Sequence, residues 1–149
     1  MRHPIFSIAK HPTMYLAFPD LTMTHTGRLW CCYNRCKHHH DRSVTQIFLQ
    51  YSDDWGTTWS EPQPLMECLD HDPEERFWNC PRLSTLSDGR IVAVVDQIKG
   101  LKCRHSQARE QINRLWFSDD NGHHWQGPLP TPVKGIVPDQ LIELRHGPF

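Results

Sequence analysis

The sequence predicts an all-β protein built from repeated four-stranded units, and three observations support this. A phrase that reads Ser-Asp-Asp-x-Gly-x-x-Trp occurs at residues 52–59 and again at residues 118–125. A second pattern, of proline, turn and apolar run, precedes each copy. No window shows a sustained apolar period of 3.6 residues bounded by caps, so we predict no long helix. Repeats at this spacing are typical of stacked supersecondary units, as in a solenoid or propeller.

The first unit is predicted to contain four strands in order. Leu, Val, Ile, Trp, Phe and Tyr are concentrated in short segments bounded by turn residues, which is typical of strands. We predict strand A at 21–24, a turn at 26–28, strand B at 29–33, a longer loop, strand C at 46–51 and a short strand D that begins near Trp59.

The second unit repeats this order after Pro81, which precedes Gly89 by the same distance as Pro19 precedes Gly27. We predict strand A at 83–86, a turn at 87–90, strand B at 91–96, strand C at 114–117 and strand D from Trp125. A third copy starts at Pro138, with a predicted turn at Gly147.

The repeated phrase has a physical reading as a turn between strands C and D. Ser and Asp side chains bond nearby backbone N–H groups, Gly permits positive φ, and the Trp packs back over the turn. We predict this structural role for two sets of four residues: Ser52, Asp54, Gly56 and Trp59, and Ser118, Asp120, Gly122 and Trp125.

Composition narrows the class of protein. A length of 149 residues favours one domain. The chain has 16 Lys and Arg and 17 Asp and Glu, so it lacks the positive charge that would indicate nucleic-acid binding. No apolar run is long enough to cross a bilayer, and residues 1–10 lack a secretory signal. We therefore expect no nucleic-acid or membrane partner, and a cytoplasmic location unless the true N-terminus lies elsewhere.

The six cysteines are predicted to be mostly reduced and packed. Cys31, Cys32 and Cys36 precede three histidines, 38–40, which suggests a metal site. The cluster lacks a second ligand pair at zinc-finger spacing, and adjacent residues in a strand point to opposite faces. We predict no metal and no cofactor.

The Ser-x-Asp-x-Gly-x-x-Trp phrase resembles the Asp-box, or BNR repeat, of sialidases (neuraminidases). The segment 18–21 resembles the Arg-Ile-Pro opening of a sialidase first blade, and 27–35 resembles the turn and strand that follow. Residues 135–139 resemble the start of a third blade. The likeness covers about residues 14–147.

This resemblance implies a β-propeller of sialidase type, six-bladed when complete. The chain would supply about two four-stranded blades, at about 14–66 and 77–132, and the first strand of a third at about 135–149. Blades at the ends of such an arc leave open edges. We therefore expect either a fragment of a longer protein or self-association that covers these edges.

In an antiparallel meander the A–B turns and the C–D phrases share one end, and the remaining connections share the other. The second end is predicted to carry function because binding groups usually lie on loops of a rigid scaffold. It collects Asp20, Asn34, Arg35, Asp41, Arg42, Trp78, Asn79, Arg82, Asp96, Asp139 and a basic loop at 99–109.

The resemblance implies roles for some of these residues. Asp41 lies where the family places its acid/base Asp, and Arg35 where many members carry an additional active-site arginine. Ala17 stands where the family has the first arginine of its carboxylate clamp, and Arg82 is a candidate replacement. The alternatives are a solvated carboxylate for Asp41, an ion pair for Arg35 and a rim salt bridge for Arg82.

Trp78 and Asn79 suggest a sugar site, because an aromatic face beside planar polar donors suits carbohydrate. Asp20 and Asp139 are further candidate substrate-binding residues. The competing interpretation has Trp78 and Phe77 packed between adjacent blades.

Two functions remain in view, with carbohydrate as the partner in both. The first is a glycoside hydrolase of exo-α-sialidase type that acts on terminal sialic acid or a related acidic sugar. The remaining clamp arginines and the Tyr–Glu nucleophile would lie on blades that this sequence does not contain. The second is a non-catalytic carbohydrate-binding propeller module. A purely structural blade pair is the third possibility.

Overall fold

A computed structural model describes residues 7–100, 110–136 and 139–144. The described residues form strands joined by turns, with no helix. The strands are β1 (Tyr15–Met23), β2 (Leu29–His38), β3 (Asp41–Ser52), β4 (Gln63–Pro64), β5 (Leu69–Asp70), β6 (Arg76–Thr85), β7 (Ile91–Lys99), β8 (Glu110–Ser118) and β9 (Gln126–Lys134).

These strands form two antiparallel sheets. The first sheet has the order β1-β2-β3-β4, with β5 also paired to β3, and the second has the order β6-β7-β8-β9. The predicted all-β, propeller-type fold with two meandering units is therefore confirmed. No strand occurs at 135–136 or 139–144, and Pro138 and Gly147, where a third unit was predicted, lie outside the described residues.

The main core lies between the two sheets. Trp30, Ile47 and Leu49 of the first sheet meet Leu83 and Trp116 of the second, all at most 2% exposed. Successive residues of a strand face opposite sides, so Cys31, Tyr33 and Phe48 form a second cluster on the other face of the first sheet. Burying each large apolar side chain contributes about 1.5–3 kcal/mol, so this shared core is what joins the sheets.

The first strand of each sheet begins earlier than the sequence predicts. The pairing of β1 with β2 shifts between Ala17 and Asp20, and the pairing of β6 with β7 shifts between Trp78 and Pro81. Proline lacks the N–H that a ladder needs and is tolerated at a bulge. The strands therefore continue across Pro19 and Pro81 instead of starting after them.

The predicted long loop between strands B and C of the first unit is wrong. β2 and β3 form a tight hairpin in which Cys36 pairs with Thr45 and His38 with Asp41. The polar residues between Lys37 and Ser43 favour a loop in sequence, but paired strand ends at the surface accept polar side chains. In the second unit, most of the predicted loop 99–109 lies outside the described residues.

The last strands of the two sheets differ. In the first sheet the predicted strand D is reduced to the two short strands β4 and β5. In the second sheet β9 begins directly after Trp125 and carries Pro128, Pro130 and Pro132 along the sheet edge. Within the part of the chain that the structure describes, no helix has the length and hydropathy to span a membrane.

Candidate functional site

The two repeated phrases form turns with the same hydrogen bonds, and we call them the Ser-Asp turns. Ser52 Oγ accepts a bond from the Gly56 amide at 2.8 Å, and Ser118 Oγ accepts one from the Gly122 amide at 2.9 Å. Both glycines have positive φ, near +83° and +88°. These bonds link the end of strand C to the middle of each turn.

The second acidic residue of each turn accepts bonds from the backbone four residues later. Asp54 Oδ1 accepts from the Thr58 amide at 2.8 Å, and Asp120 Oδ1 from the His124 amide at 2.9 Å. Hydrogen bonds from the Thr58 hydroxyl and amide lower the pKa of Asp54 to about 2. Bonds from His124, chiefly its amide, also lower the pKa of Asp120. These polar groups are occupied within the turns.

The closing tryptophans form the same hydrogen bond in both turns, although Trp59 packs against the second cluster and Trp125 against the main core. Trp59 Nε1 donates to the Gly56 carbonyl at 3.1 Å, and Trp125 Nε1 donates to the Gly122 carbonyl at 3.1 Å. The second turn also contacts the first sheet, because Trp30 Nε1 donates to the Asn121 carbonyl at 3.2 Å. Each Ser-Asp turn thus holds its own hairpin, and the second turn also joins the two sheets.

In the first sheet the A–B turn and the Ser-Asp turn lie at one end and the β2–β3 hairpin at the other, as a meander predicts. The Ser-Asp turn of the first sheet lies beside its A–B turn, since Arg28 Nε donates to Asp53 Oδ1 at 2.7 Å. The β2–β3 hairpin, closed by the pair His38 and Asp41, lies at the opposite end, which we call the loop end.

A groove of about 790 Å³ lies at the loop end, and we call it the loop-end groove. It combines aromatic rings with planar polar groups from both sheets. Its lining residues are Phe18, His39, His40, Arg42, Phe77, Asn79, Cys80, Ile98, Gln111 and Ile136.

Arg42 is the buried charge of this groove, at 8% exposure. Its guanidinium donates to the His39 carbonyl at 3.1 Å and, at 3.4 Å, to Asn34 Oδ1 and Cys36 Sγ. The guanidinium carbon lies 5.2 Å from the centre of the Phe18 ring. Among the described residues, no carboxylate forms an ion pair with Arg42.

The bulge at Asn79 is held by a buried carboxylate. Asp96 accepts from the Asn79 side chain at 3.0 Å and from the Cys80 amide at 2.7 Å, and burial raises its pKa. From the first sheet, Asn34 Nδ2 donates to the carbonyls of Trp78 and Asn79 at 2.8 and 3.1 Å. Asp96 and Asn34 therefore act as supports, and Asn79 lines the loop-end groove.

Asp41 lies beside the groove, in an adjoining pocket of about 420 Å³ that also contains His40 and Arg42. It starts β3 at the hairpin and does not lie in a long loop. Asp41 Oδ1 accepts from the Ser43 hydroxyl at 2.6 Å and from its amide at 3.0 Å. These bonds lower the pKa of Asp41, so it is ionised at neutral pH and suits a base better than an acid.

Arg35 is not brought together with Asp41. It lies on the sheet face of Tyr33 and Phe48, where its guanidinium stacks over the Phe48 ring at 4.1 Å. Nη2 also donates to Gln46 Oε1 at 3.1 Å. Within the described ranges Arg35 forms no ion pair, which was the predicted alternative, and both of its partners named here are neutral.

Trp78 and Arg82 also differ from the sugar-site prediction. Trp78 is 6% exposed and packs against Trp116 with ring centres 5.6 Å apart, so it belongs to the core between the sheets. Arg82 donates to the Pro81 carbonyl at 2.8 Å and does not line the loop-end groove.

The two remaining acidic candidates have local roles. Asp20 Oδ2 accepts from the Leu83 amide at 2.9 Å and thereby connects β1 to β6. Asp139 accepts from the Gln140 amide at 2.8 Å and lies by an apolar pocket that includes Val94 and Leu115. Neither lines the loop-end groove.

The cysteines remain free thiols in the described part of the chain. Cys31, Cys32, Cys36 and Cys80 are buried and Cys68 is exposed, whereas Cys103 lies outside the described residues. Burial raises the pKa of Cys31 to about 12 and that of Cys80 to about 11. The described residues contain no group of three His, Cys, Asp or Glu side chains arranged to hold a metal.

No protein-family profile matches this chain, and no curated protein matches it. Among solved structures, the chain is similar to the Hadza microbial sialidase Hz136, with 23% identity and a TM-score of 0.56 over 76% of this chain. It is also similar to a protein of unknown function from Dyadobacter fermentans, with 22% identity and a TM-score of 0.61 over 82% of this chain. The chain spans only 24% of the first protein and 38% of the second. These likenesses show that the two sheets have a sialidase-like fold.

Proposed function

We propose that this chain is part of a sialidase-like propeller that binds an acidic sugar in the loop-end groove. The observation that supports this most is the buried guanidinium of Arg42, which has no carboxylate partner among the described residues. Buried charges are normally paired, and a guanidinium binds a planar carboxylate through two parallel hydrogen bonds. The sugar carboxylate would fill that role.

The rest of the groove suits the body of a sugar. Phe18 offers a partly exposed ring against which the C–H face of a pyranose packs, and the amides of Asn79 and Gln111 offer both donors and acceptors. A mostly apolar surface with a few oriented polar groups is the usual composition of a small-molecule site.

Hydrolysis of an exo-α-sialidase type is the second candidate. It is favoured by the position of Asp41, which lines the pocket beside Arg42. It is disfavoured by the lowered pKa of Asp41, and by Ala17 where the resemblance implies a clamp arginine. Binding without turnover therefore fits the two sheets better than catalysis does.

Calorimetry with the α-methyl glycoside of N-acetylneuraminic acid tests the proposal, with methyl galactoside as the neutral sugar. We expect the acidic glycoside to bind more tightly than the neutral one. We expect Arg42→Gln to weaken binding of the acidic sugar by about tenfold or more, because a charge-assisted hydrogen bond is lost. Arg90→Gln is the matched control, since Arg90 is exposed and pairs with Asp88.

A second variant separates binding from folding. Replacing Arg42 could also affect folding, because Arg42 supports the hairpin through Asn34 and His39. Gln111→Ala avoids this, because the Gln111 side chain lines the groove and makes no hydrogen bond to another described residue. Equal affinity for both sugars, or unchanged affinity in both variants, would refute the proposed site. Release of the aglycone from a fluorogenic sialoside, abolished in Asp41→Ala, would instead favour the hydrolase.

A further inference from the structure

A second groove of about 580 Å³ lies between the two sheets and shares no lining residue with the loop-end groove. We call it the rim groove. One wall comes from Leu65 and Met66, in the segment between β4 and β5, and the other from Trp78, Gln97, Arg114 and Trp116 of the second sheet.

The register of the second sheet aligns polar groups across this wall. Trp78 of β6 pairs with Gln97 of β7, and Val95 of β7 pairs with Arg114 of β8. Residues two apart in a strand share a face, so Arg114 stands next to Trp116 in the same way that Arg76 stands next to Trp78. The wall thus presents two arginine–tryptophan pairs on either side of Gln97.

The two arginines differ in their partners. Arg76 is occupied, because its guanidinium binds both oxygens of Asp72 at 2.8 and 3.0 Å. Arg114 has no ion pair within the described chain, and its hydrogen bond to Gln97 Oε1 is long, at 3.4 Å. One positive charge in the groove is therefore available to an incoming anion.

The remaining lining restricts what that anion can be. The indoles of Trp78 and Trp116 meet at 75°, and Leu65 and Met66 form the facing apolar wall. Glu67 is exposed and also lines the groove, so it repels a second negative charge on a ligand. A single carboxylate on a flat apolar body matches this arrangement.

We infer that the rim groove binds a small monocarboxylate whose carboxylate pairs with Arg114 and whose apolar body packs against Met66 and Leu69. This site is separate from the acidic-sugar site proposed above and does not depend on it. Its ligand needs one charge and little hydrogen bonding elsewhere, whereas a sugar needs several donors and acceptors.

Titration of the protein with benzoate, followed by tryptophan fluorescence and calorimetry, tests this inference. Benzyl alcohol is the uncharged ligand control. We expect benzoate to bind with a change in fluorescence, and Arg114→Gln to weaken it by about tenfold or more through loss of a charge-assisted pair. Arg90→Gln, which lies outside both grooves and pairs with Asp88, is expected to leave benzoate affinity unchanged.

Met66→Glu provides a second variant that removes no side-chain hydrogen bond of the second sheet. It places a negative charge on the facing wall and is expected to weaken benzoate more than benzyl alcohol, because only benzoate is also repelled by that charge. The inference would be overturned if neither benzoate nor cyclohexanecarboxylate bound at concentrations up to about 10 mM, because a Kd above that value corresponds to very weak binding. Equal binding of benzoate and benzyl alcohol, or equal binding by wild type and Arg114→Gln, would also overturn it.

Discussion

At the scale of single residues, the Ser-Asp turns make the stability of the fold depend on pH. Asp54 accepts bonds from the Thr58 amide, the Thr58 hydroxyl and the Ser52 hydroxyl, and all three favour the ionised carboxylate. Its pKa is about 2 in the folded chain, against about 3.9 for an aspartate in an unfolded peptide. Protonation therefore favours the unfolded chain.

We predict that the free energy of unfolding falls as the pH drops from about 4 to about 2. A lowered folded-state pKa contributes stability that is present above the unfolded-state value and is lost as the pH falls through the folded-state value. Asp54→Asn should flatten this decline and lower stability at neutral pH. Urea denaturation across the range measures it.

Asp139→Asn is the control for this prediction, because it removes an exposed carboxylate whose one hydrogen bond to another described residue is with the adjacent Gln140 amide. A pH profile of Asp54→Asn that runs parallel to the wild type would contradict the assignment. Asp72, whose pKa is also lowered to about 2 by Arg76, should preserve part of the decline in the variant.

The sequence pattern predicted the hydrogen bonds of the Ser-Asp turns better than it predicted the residues of the loop-end groove. Ser, Asp, Gly and Trp at fixed spacing determine local hydrogen bonds, so the turns could be derived from sequence. In the sequence, Arg42 does not stand out from the other polar residues of the loop end. Its burial depends on the tight hairpin and on the register shift between Cys36 and His38. Such a bulge changes which side chains face inward, and the sequence does not reveal it.

At the scale of elements, the second Ser-Asp turn fits against an indole of the first sheet. A Cβ added at Gly122 would lie 2.2 Å from the Trp30 ring, while one added at Gly27 meets nothing within 4 Å. Both glycines have φ near +88°. The two positions therefore share the same backbone penalty for alanine and differ only in packing.

We predict that Gly27→Ala costs about 1–2 kcal/mol, from positive φ alone. Gly122→Ala should cost about 2–5 kcal/mol, because overpacking against Trp30 adds to that penalty. Chemical denaturation of both variants measures the difference. Equal losses would mean that the turn and Trp30 do not form a tight contact.

Element boundaries were the least predictable part of the fold. The apolar centres of strands 29–33, 91–96 and 114–117 were predicted because they face the core and therefore alternate or run apolar. The strand ends carry Lys, His and Asp, which give no strand signal. Proline inside β1 and β6 suggested a strand start, although the bulges allow the strands to continue.

At the scale of the whole molecule, the edge of the second sheet is protected by proline. Pro128, Pro130 and Pro132 remove three N–H groups from β9, where Leu129 and Val133 are exposed. Exposed, unpaired edges promote association with other strands, and proline blocks it. The three prolines therefore limit pairing of this edge with strands of other chains.

We predict that replacing these three prolines with valine causes concentration-dependent aggregation. Valine restores the N–H groups and has high strand propensity, so β9 would become a template for other chains. Light scattering over a series of protein concentrations measures this. Replacing exposed Leu129 with Thr instead should not increase scattering, and a proline variant that stays monomeric would contradict the prediction.

The bond from the Trp30 indole to the Asn121 carbonyl has a consequence for how the chain acquires its structure. Trp30 comes early in the sequence, but its acceptor is supplied only when the hairpin of β8 and β9 has formed. If the N-terminal half were synthesised alone, the Trp30 ring would be exposed to solvent and its N–H would lack the Asn121 carbonyl as acceptor. Maturation of the first repeat must therefore wait for the last turn of the second.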